Sequence, residues 1–514
     1  MIALLTDFST SPYLLPCVLA TLAIVLVATL YNDISDELPY RRFPLVGKGR
    51  WEITNRKAKN RFLTSARELI SQGFSQGVRV FQLRTPLGPL LVLHPQYVNE
   101  LKSHTHVSFT KAMQKLFLYG KYRGLASFGQ GDQQDIFQTL VQGKLTQSLG
   151  QVTLPLSKET AALLRETFPY SEEWKPYVFA QTAPYMVARL SSLVFLGDKI
   201  CRDKEWLDVS VNYALDAFSA VRALRLWPSI LRPFVQWFLP ETRRAQKHLT
   251  VARRIIQREI EQRRREEALG HKRSSSDALD WAREVAAGRP FDETLGQIGL
   301  SVAAIHTTSQ LLTNIIYDLA AYPEYVAPLR EEIKTVLQQE NGWKASALTK
   351  MKLLDSVMKE TQRLNPAGIT PLNRLVMKDI TLSDGTVLPK GASVAISSHP
   401  VMTDASIYED PERYDGRRFW RKRQEPGNEH RYQFVTTSPE HLGFGHGQHA
   451  CPGRFFAANE IKIVLAHLLM KYDWTFADKD RGRPKTLTIG TENIVDPTVV
   501  LLFKSRKPEI DLFE

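Results

Sequence analysis

Apolar residues crowd the start of the chain. Residues 8–31 hold no charge, and 13–31 are rich in Leu, Val, Ala and Ile. A run of that length can just span a bilayer. No basic residue precedes it, as one would in a cleaved leader, so an uncleaved anchor is expected. Arg41, Arg42, Lys48 and Arg50 follow and predict that this flank is cytosolic. Pro39 and Pro44 stiffen a short connector ending in Pro44-Leu45-Val46-Gly47. Apolar runs at 78–83 and 90–93 predict two strands joined across Pro86-Leu87-Gly88-Pro89. From Pro95 onward the pattern turns mostly helical. Helices are predicted over 137–149, 243–265, 291–322, 353–364 and 454–470, and another from Pro323-Glu324-Tyr325. Asp292 can cap the helix over 291–322, and Pro323 marks its end. Residues 217–239 are apolar and aromatic but broken by Pro228, Pro233 and Pro240. Residues 272–277, with Ser274-Ser275-Ser276, read as a polar loop. Asp384-Gly385 signals a hairpin between 379–382 and 386–388. Further short strands are expected over 392–397 and within 487–503. The arrangement implied is mainly α with a small β-rich region, with no linker or repeat that would split the body.

Composition adds little to that picture and charge adds more. The 514 residues are 43% apolar and 24% charged, as in a globular protein. The formal net charge of +13 favours acidic partners. No nucleic-acid motif appears, so anionic lipid and an acidic redox partner are expected rather than nucleic acid. Only Cys17, Cys201 and Cys451 are present, which is no disulfide framework and suits a reducing, cytosol-facing environment. Cys201, in GDKICRDKEWL, reads as structural.

The remaining cysteine has an unusual setting. Cys451 lies in a loop, HLGFGHGQHACPGRFFAANEI, that opens at His441 and runs into an apolar helix. Gly443, Gly445 and Gly447 permit tight turns and close approach to a flat ligand. Pro452 suits a first helical turn. Cys451 should then sit just before a helix N-terminus, where the dipole and free N–H groups favour a thiolate. Taken alone, the residues leave several readings open. Cys451 could be a small buried hydrophobe, or could join His446 and His449 on zinc, although a fourth ligand at zinc spacing is missing. A Cys/His hydrolase and a weakly matched dinucleotide loop are the other options.

Phe444, Gly447, Cys451 and Gly453 stand at the spacing of a known signature: Phe, two residues, Gly, three residues, Cys, one residue, Gly. The loop resembles the haem-binding segment of the cytochrome P450 family. By this resemblance Cys451 is the iron ligand, Phe444 packs near the sulfur, and His449 takes the place of a basic residue that meets a haem propionate. Other segments extend the likeness over almost the whole chain. Ala303-Ala304-Ile305-His306-Thr307-Thr308 resembles the oxygen-activation motif of the distal helix. Thr307 matches the threonine that helps deliver protons, while His306 replaces the usual acid. Two adjacent threonines bonded to their own backbone in a core helix are the bland alternative. Glu360 and Arg363 match the family's Glu-x-x-Arg element, and Arg418 matches the third member of a buried structural network. Arg374 is expected to reach a propionate. The propionate-binding arginine of many relatives is replaced near Gln142, with Lys144 close by. Residues 108–128, 217–239, 367–372 and 492–494 are expected around the substrate.

The resemblance implies a P450 fold with an anchor and linker over 1–38 and a haem-thiolate catalytic domain over 39–514. The cofactor implied is haem b with an axial thiolate, which favours O–O cleavage. Electrons would come from NADPH–cytochrome P450 reductase, whose acidic face would dock on basic residues near the loop. The reaction implied is monooxygenation of an apolar small molecule with O2, on a membrane lipid surface, the endoplasmic reticulum, with the catalytic domain facing the cytosol. Residues 303–308, 353–366 and 381–391 resemble fungal ent-kaurene oxidases. That suggests a terpenoid, meroterpenoid or indole terpenoid, with a polyketide–amino-acid hybrid as the alternative. A haem-thiolate isomerase or dehydratase, or a non-catalytic haem protein, would be of another class.

Overall fold

The computed structural model describes residues 15–24, 38–129, 134–271, 276–510 and 512. Most of the expected anchor, and residues 272–275 of the polar loop, lie outside these. Residues 15–24 are helical, and among the described residues no helix is long and apolar enough to cross a membrane.

The principal helices are α1 (Arg56–Ser75), α2 (Phe109–Leu116), α3 (Gln134–Leu140), α4 (Leu149–Thr167), α5 (Phe179–Leu196), α6 (Lys204–Arg225) and α7 (Pro240–Ala268). They continue with α8 (Ala278–Ala286), α9 (Glu293–Ala321), α10 (Val326–Glu340), α11 (Lys352–Leu364), α12 (Arg418–Lys422) and α13 (Arg454–Lys471). Local chemistry explains their ends. The Asp292 carboxylate accepts from Leu295 N at 3.0 Å and starts α9. Asp277 and Asp280 form a reciprocal capping box on α8. Pro240 opens α7, where its missing N–H costs nothing.

The small β region matches the expected hairpins. Strands β1 (Val80–Thr85) and β2 (Gly88–Leu93) pair antiparallel, Val80 opposite Leu93. With β3 (Val107–Ser108), β5 (Leu372–Val376) and β8 (Ser393–Ile396) they form a sheet of order β1-β2-β8-β5-β3. Strands β6 (Ile380–Thr381) and β7 (Val387–Leu388) flank the Asp384-Gly385 turn, where Gly385 has φ +84°. Strand β4 (Lys175–Tyr177) joins β9 (Tyr472–Phe476) and β12 (Leu501–Ser505), and β10 (Leu487–Ile489) pairs with β11 (Glu492–Ile494).

One feature departs from expectation. The helix predicted over 137–149 is interrupted: α3 stops at Leu140, Val141–Leu145 winds as a π-helix, and α4 begins at Leu149. Thr146 Oγ1 donates to the Val141 carbonyl five residues back at 2.9 Å, which suits the wider turn. Gly143 within it has weak helix preference.

The main core gathers α4, α5, α6, α7, α9, α10, α11 and α13. Helix α13 is mostly apolar and buried from Ala458 almost throughout, Glu460, Lys462 and His467 included, so it is an interior helix. Helix α9 packs on α5, α6, α11 and α13 and forms the other axis of the body.

Helix α11 carries the charges that tie this core to the long irregular segment after it. Glu360 and Arg363, whose side chains are 0% exposed, form a bidentate pair at 2.7 and 2.8 Å. Arg418 Nε donates to the same carboxylate at 3.1 Å, and so does Asp415 N. The remaining guanidinium donors meet the carbonyls of Met402, Pro411 and Glu409. The trio therefore comes together as expected. Removing one member of a buried pair strands the other charge, at roughly 3–5 kcal/mol. Arg363→Met is expected to lower stability by about that much in denaturant unfolding followed by circular dichroism. A loss below about 1 kcal/mol would mean the network is dispensable.

Candidate active site

The loop from Leu442 to Gly453 is built by backbone bonds that aim one cysteine at the start of α13. Gly445 N donates to Leu442 O at 2.8 Å, and Cys451 N donates to Phe444 O at 2.8 Å. Gly447 has φ +79°, and a Cβ there would fall 2.7 Å from the Lys102 side chain, so only glycine fits. Phe444 packs edge-on against Phe434 at 4.9 Å. Arg454 Nη1 donates to Cys451 O at 2.8 Å, and Arg454 Nε to Val435 O at 3.0 Å.

Two local expectations change. The N-cap is Gly453, so Pro452 lies one residue before the cap rather than in the first turn. Burial pushes the Cys451 thiol up, against the smaller opposing pull of the Gly453 and Arg454 N–H groups and the Arg454 charge. Desolvation therefore outweighs the helix terminus. The zinc option also loses support, since no group of three His, Cys, Asp or Glu side chains among the described residues could hold a metal ion. His446 turns instead to Thr437 Oγ1, 3.1 Å away.

Beside the loop, His449 and Arg374 converge on one aromatic ring. Phe109 of α2 stacks with His449 at 6.0 Å, and the Arg374 guanidinium lies 5.6 Å from its centroid. Arg374 is 3% exposed. Its Nη1 donates to Asn373 O at 2.8 Å, while its buried Nε has no partner. Burial brings its pKa down to about 10. His449 is lowered too, by burial and then by the Arg374 charge. Two basic groups thus lie against one ring, and no acid among the described residues is paired to Arg374. An anionic group such as a haem propionate is the chemical complement of that arrangement. Lys144 is elsewhere, ion-paired to Glu284 of α8, and Gln142 is exposed on the π-turn.

Helix α9 shows the other wall. Its flanking residues Ile298, Ile305 and Thr308 are buried, yet Ala303 and Thr307 are exposed and Gly299 is half-buried. These three lie at i, i+4 and i+8, on one face. A Cβ built on Gly299 meets nothing within 4 Å. The face therefore borders space not filled by protein, with small side chains suited to a flat ring. The Thr307 hydroxyl donates to Ala303 O at 2.8 Å, its own helix, and keeps its lone pairs toward the open side. His306 points elsewhere, with Nε2 2.8 Å from Val211 O of α6. Burial lowers its pKa, so the imidazole is neutral and Nε2–H is the donor.

Some participants gave no sequence signal. Asp355 of α11 accepts from Lys462 Nζ of α13 at 2.6 Å, Arg423 Nη1 at 3.1 Å and Phe434 N at 2.7 Å. Phe109 lies in the segment 108–128 expected around the substrate, and nothing in the sequence marks it as the ring that Arg374 and His449 share. The covering segment 108–128 is pinned as well. Tyr213 OH donates to Gly124 O at 2.9 Å, and Phe117 stacks on Phe128 at 3.7 Å.

Comparison with known proteins identifies the family. A family model described as Cytochrome P450 matches residues 74–497. The cytochrome P450 monooxygenase ntnM of Nectria sp is 42% identical over 493 residues, which cover 95% of this chain and 93% of that protein. The cytochrome P450 monooxygenase ptmU of Penicillium ochrochloron is 40% identical, covering 92% and 94%. The cytochrome P450 monooxygenase hepE of Aspergillus oryzae is 40% identical, covering 95% and 90%. The chain belongs to the cytochrome P450 family, and as one of its monooxygenases it uses haem b carried on a cysteine thiolate.

Proposed function

We propose that Cys451 is the axial ligand, that Phe444 and Gly447 shape the loop around its sulfur, and that His449 and Arg374 receive a haem propionate. The observation that carries this reading is the buried Arg374, with no acid paired to it among the described residues, beside the half-buried His449 of the cysteine loop. When bound, haem supplies reductive activation of dioxygen and insertion of one oxygen atom into substrate. The chain's own residues position, exclude water and move protons. The family implies a reductase as electron donor and a small-molecule substrate. The substrate class is proposed as a large apolar secondary metabolite, a terpenoid, meroterpenoid or indole terpenoid. Phe117, Phe128 and Phe218, which pack together in segments expected around the substrate, support an apolar substrate.

Thr307 is the proposed proton relay, because its hydroxyl lies on the open face of α9. His306 is proposed as its neighbour in the route on the α6 side: with Nε2–H held by Val211 O, Nδ1 is an acceptor and would pass a proton on only after first taking one up there. Residues 1–38 are the proposed anchor and linker, and 39–514 the catalytic body at the endoplasmic reticulum membrane. A second surface supports membrane contact. Between α6 and α7, Leu226, Ile230, Phe234, Trp237 and Phe238 are all more than half exposed. Apolar side chains grouped in this way favour a lipid interface.

Three measurements follow. The reduced protein under carbon monoxide should show the Soret band that gives the family its name, and Cys451→Ala should abolish it. An intact band in that variant would refute the ligand assignment. Thr307→Ala should keep the band but raise hydrogen peroxide release per NADPH by about tenfold or more. Unchanged coupling would remove Thr307 from the proton route, and the same readout on His306→Ala separates supply from a purely structural tie. The chain without residues 1–37 should still co-sediment with anionic vesicles. Phe234→Ser with Phe238→Ser should weaken that binding by roughly tenfold or more; equal binding would exclude the patch.

A further inference from the structure

The chain enters the body along the outer edge of β1, and Gln82 sews the two together. Gln82 N donates to Pro44 O at 2.8 Å, and Val46 N donates to Gln82 O at 3.0 Å. Gln82 is 3% exposed. Its side-chain Nε2 donates to Tyr40 O at 3.0 Å and to Phe43 O at 2.8 Å. Both amide hydrogens are used there, which fixes Oε1 as the other end of the side chain. Oε1 is buried and has no hydrogen-bond partner. A buried acceptor left unmade is costly and calls for a donor.

Gln82 lines a cavity of about 540 Å³. A small organic molecule fits such a volume, since ligand cavities run from about 300 to 1,000 Å³. Arg41, Arg42, Lys48 and Arg84 line it too, and no acidic side chain does so among the described residues. Arg84 is 2% exposed whereas Arg41 and Arg42 are exposed, so the cationic wall runs from the surface inward. The next acid along the chain, Glu52, is taken by Arg61 and the Gly49 N–H. Phe43 and Leu45 add an apolar part to the wall. Three residues beyond Lys48, Trp51 is almost fully exposed, and so is Ile53.

We propose that this cavity binds the headgroup of an anionic phospholipid that carries both a phosphate and a hydroxyl, of the phosphatidylinositol class. The arginine forks match phosphate oxygens. The hydroxyl supplies the donor that Gln82 Oε1 lacks. Apolar side chains flank the cations, which favours a lipid over a soluble phosphate ester. Phe43 and Leu45 in the wall, with Trp51 and Ile53 outside it, suit a glycerol ester and acyl chains. The site shares no residue with the apolar patch between α6 and α7, and it does not depend on the haem reading. One lipid held by fixed residues orients the body, where diffuse charge only gathers it at the surface.

The test titrates the full haem-loaded chain, in nonionic micelles, with dioctanoyl lipids and counts bound adducts by native mass spectrometry. One equivalent of the phosphatidylinositol should bind, and the zwitterionic phosphatidylcholine at least about tenfold more weakly. The phosphatidylmethanol, equal in charge but without a hydroxyl, should bind about fivefold more weakly. Glycerophosphoinositol, the headgroup without acyl chains, should bind at least about tenfold more weakly. Arg41→Ser with Arg42→Ser should cost the inositol lipid about tenfold or more, while Lys247→Ser with Arg264→Ser on α7 should cost nothing. Gln82→Leu should bind the inositol and methanol lipids equally. Equal binding of phosphatidylcholine, or equal loss in both double variants, would reduce the site to partitioning or diffuse charge and overturn the proposal. So would equal binding of the inositol and methanol lipids by the wild type, which needs no variant to fold. Glycerophosphoinositol binding as tightly as its lipid would make the occupant a soluble phosphate ester and overturn the lipid assignment.

Discussion

A carboxylate taken out of water needs cations and N–H groups to replace its hydration, and helix α11 carries two such groups. Glu360 holds Arg363 and Arg418, and through them the carbonyls of 402, 409 and 411. Asp355 holds Lys462 of α13, Arg423 and the Phe434 amide. The route from there to the site is short. Phe434 packs on Phe444, and the Phe444 carbonyl accepts from Cys451 N. Placement of the cysteine thus depends on charge pairing on a helix that never touches it. Apolar packing alone would leave the long irregular segment before the loop without a register.

This explains why so much of the fold was legible and part of the site was not. Helices α9, α11 and α13 announce themselves because periodicity and caps are local; Asp292 needs only Leu295 to do its work. The Glu360, Arg363 and Arg418 trio was legible only through resemblance, since a Glu–Arg pair on a helix is commonplace. Asp355 was not legible at all. Its partners lie 68 to 107 positions away, and nothing in one aspartate says that it will be buried. The π-turn at Val141–Leu145 escaped for a related reason, because its extra residue is accommodated by packing rather than by any breaker in the sequence.

The two centre residues of the distal motif illustrate the same division. The Thr307 hydroxyl bonds its own helix and also borders open space, so its geometry is compatible with the backbone-bonded reading and with the proposed proton role alike. His306 required the fold to interpret. Its neighbour in space is a carbonyl 95 positions earlier. An acid at that place would repel a backbone carbonyl, whereas a neutral imidazole donates to it. The exchange of acid for histidine is therefore consistent with the partner that α6 offers.

Near the cysteine, the protein holds two features that are individually unfavourable. Arg374 keeps a buried charge with one nitrogen unsatisfied, at a cost of about 1–3 kcal/mol or more. A face of α9 is lined only by small residues. Local stability explains neither, because an apolar residue in place of Arg374 and larger side chains on α9 would each pack better. A single flat ligand with acidic edges would satisfy both together. Strain of this kind is retained when binding repays it, which makes the stability of the folded chain rise with occupancy of the site.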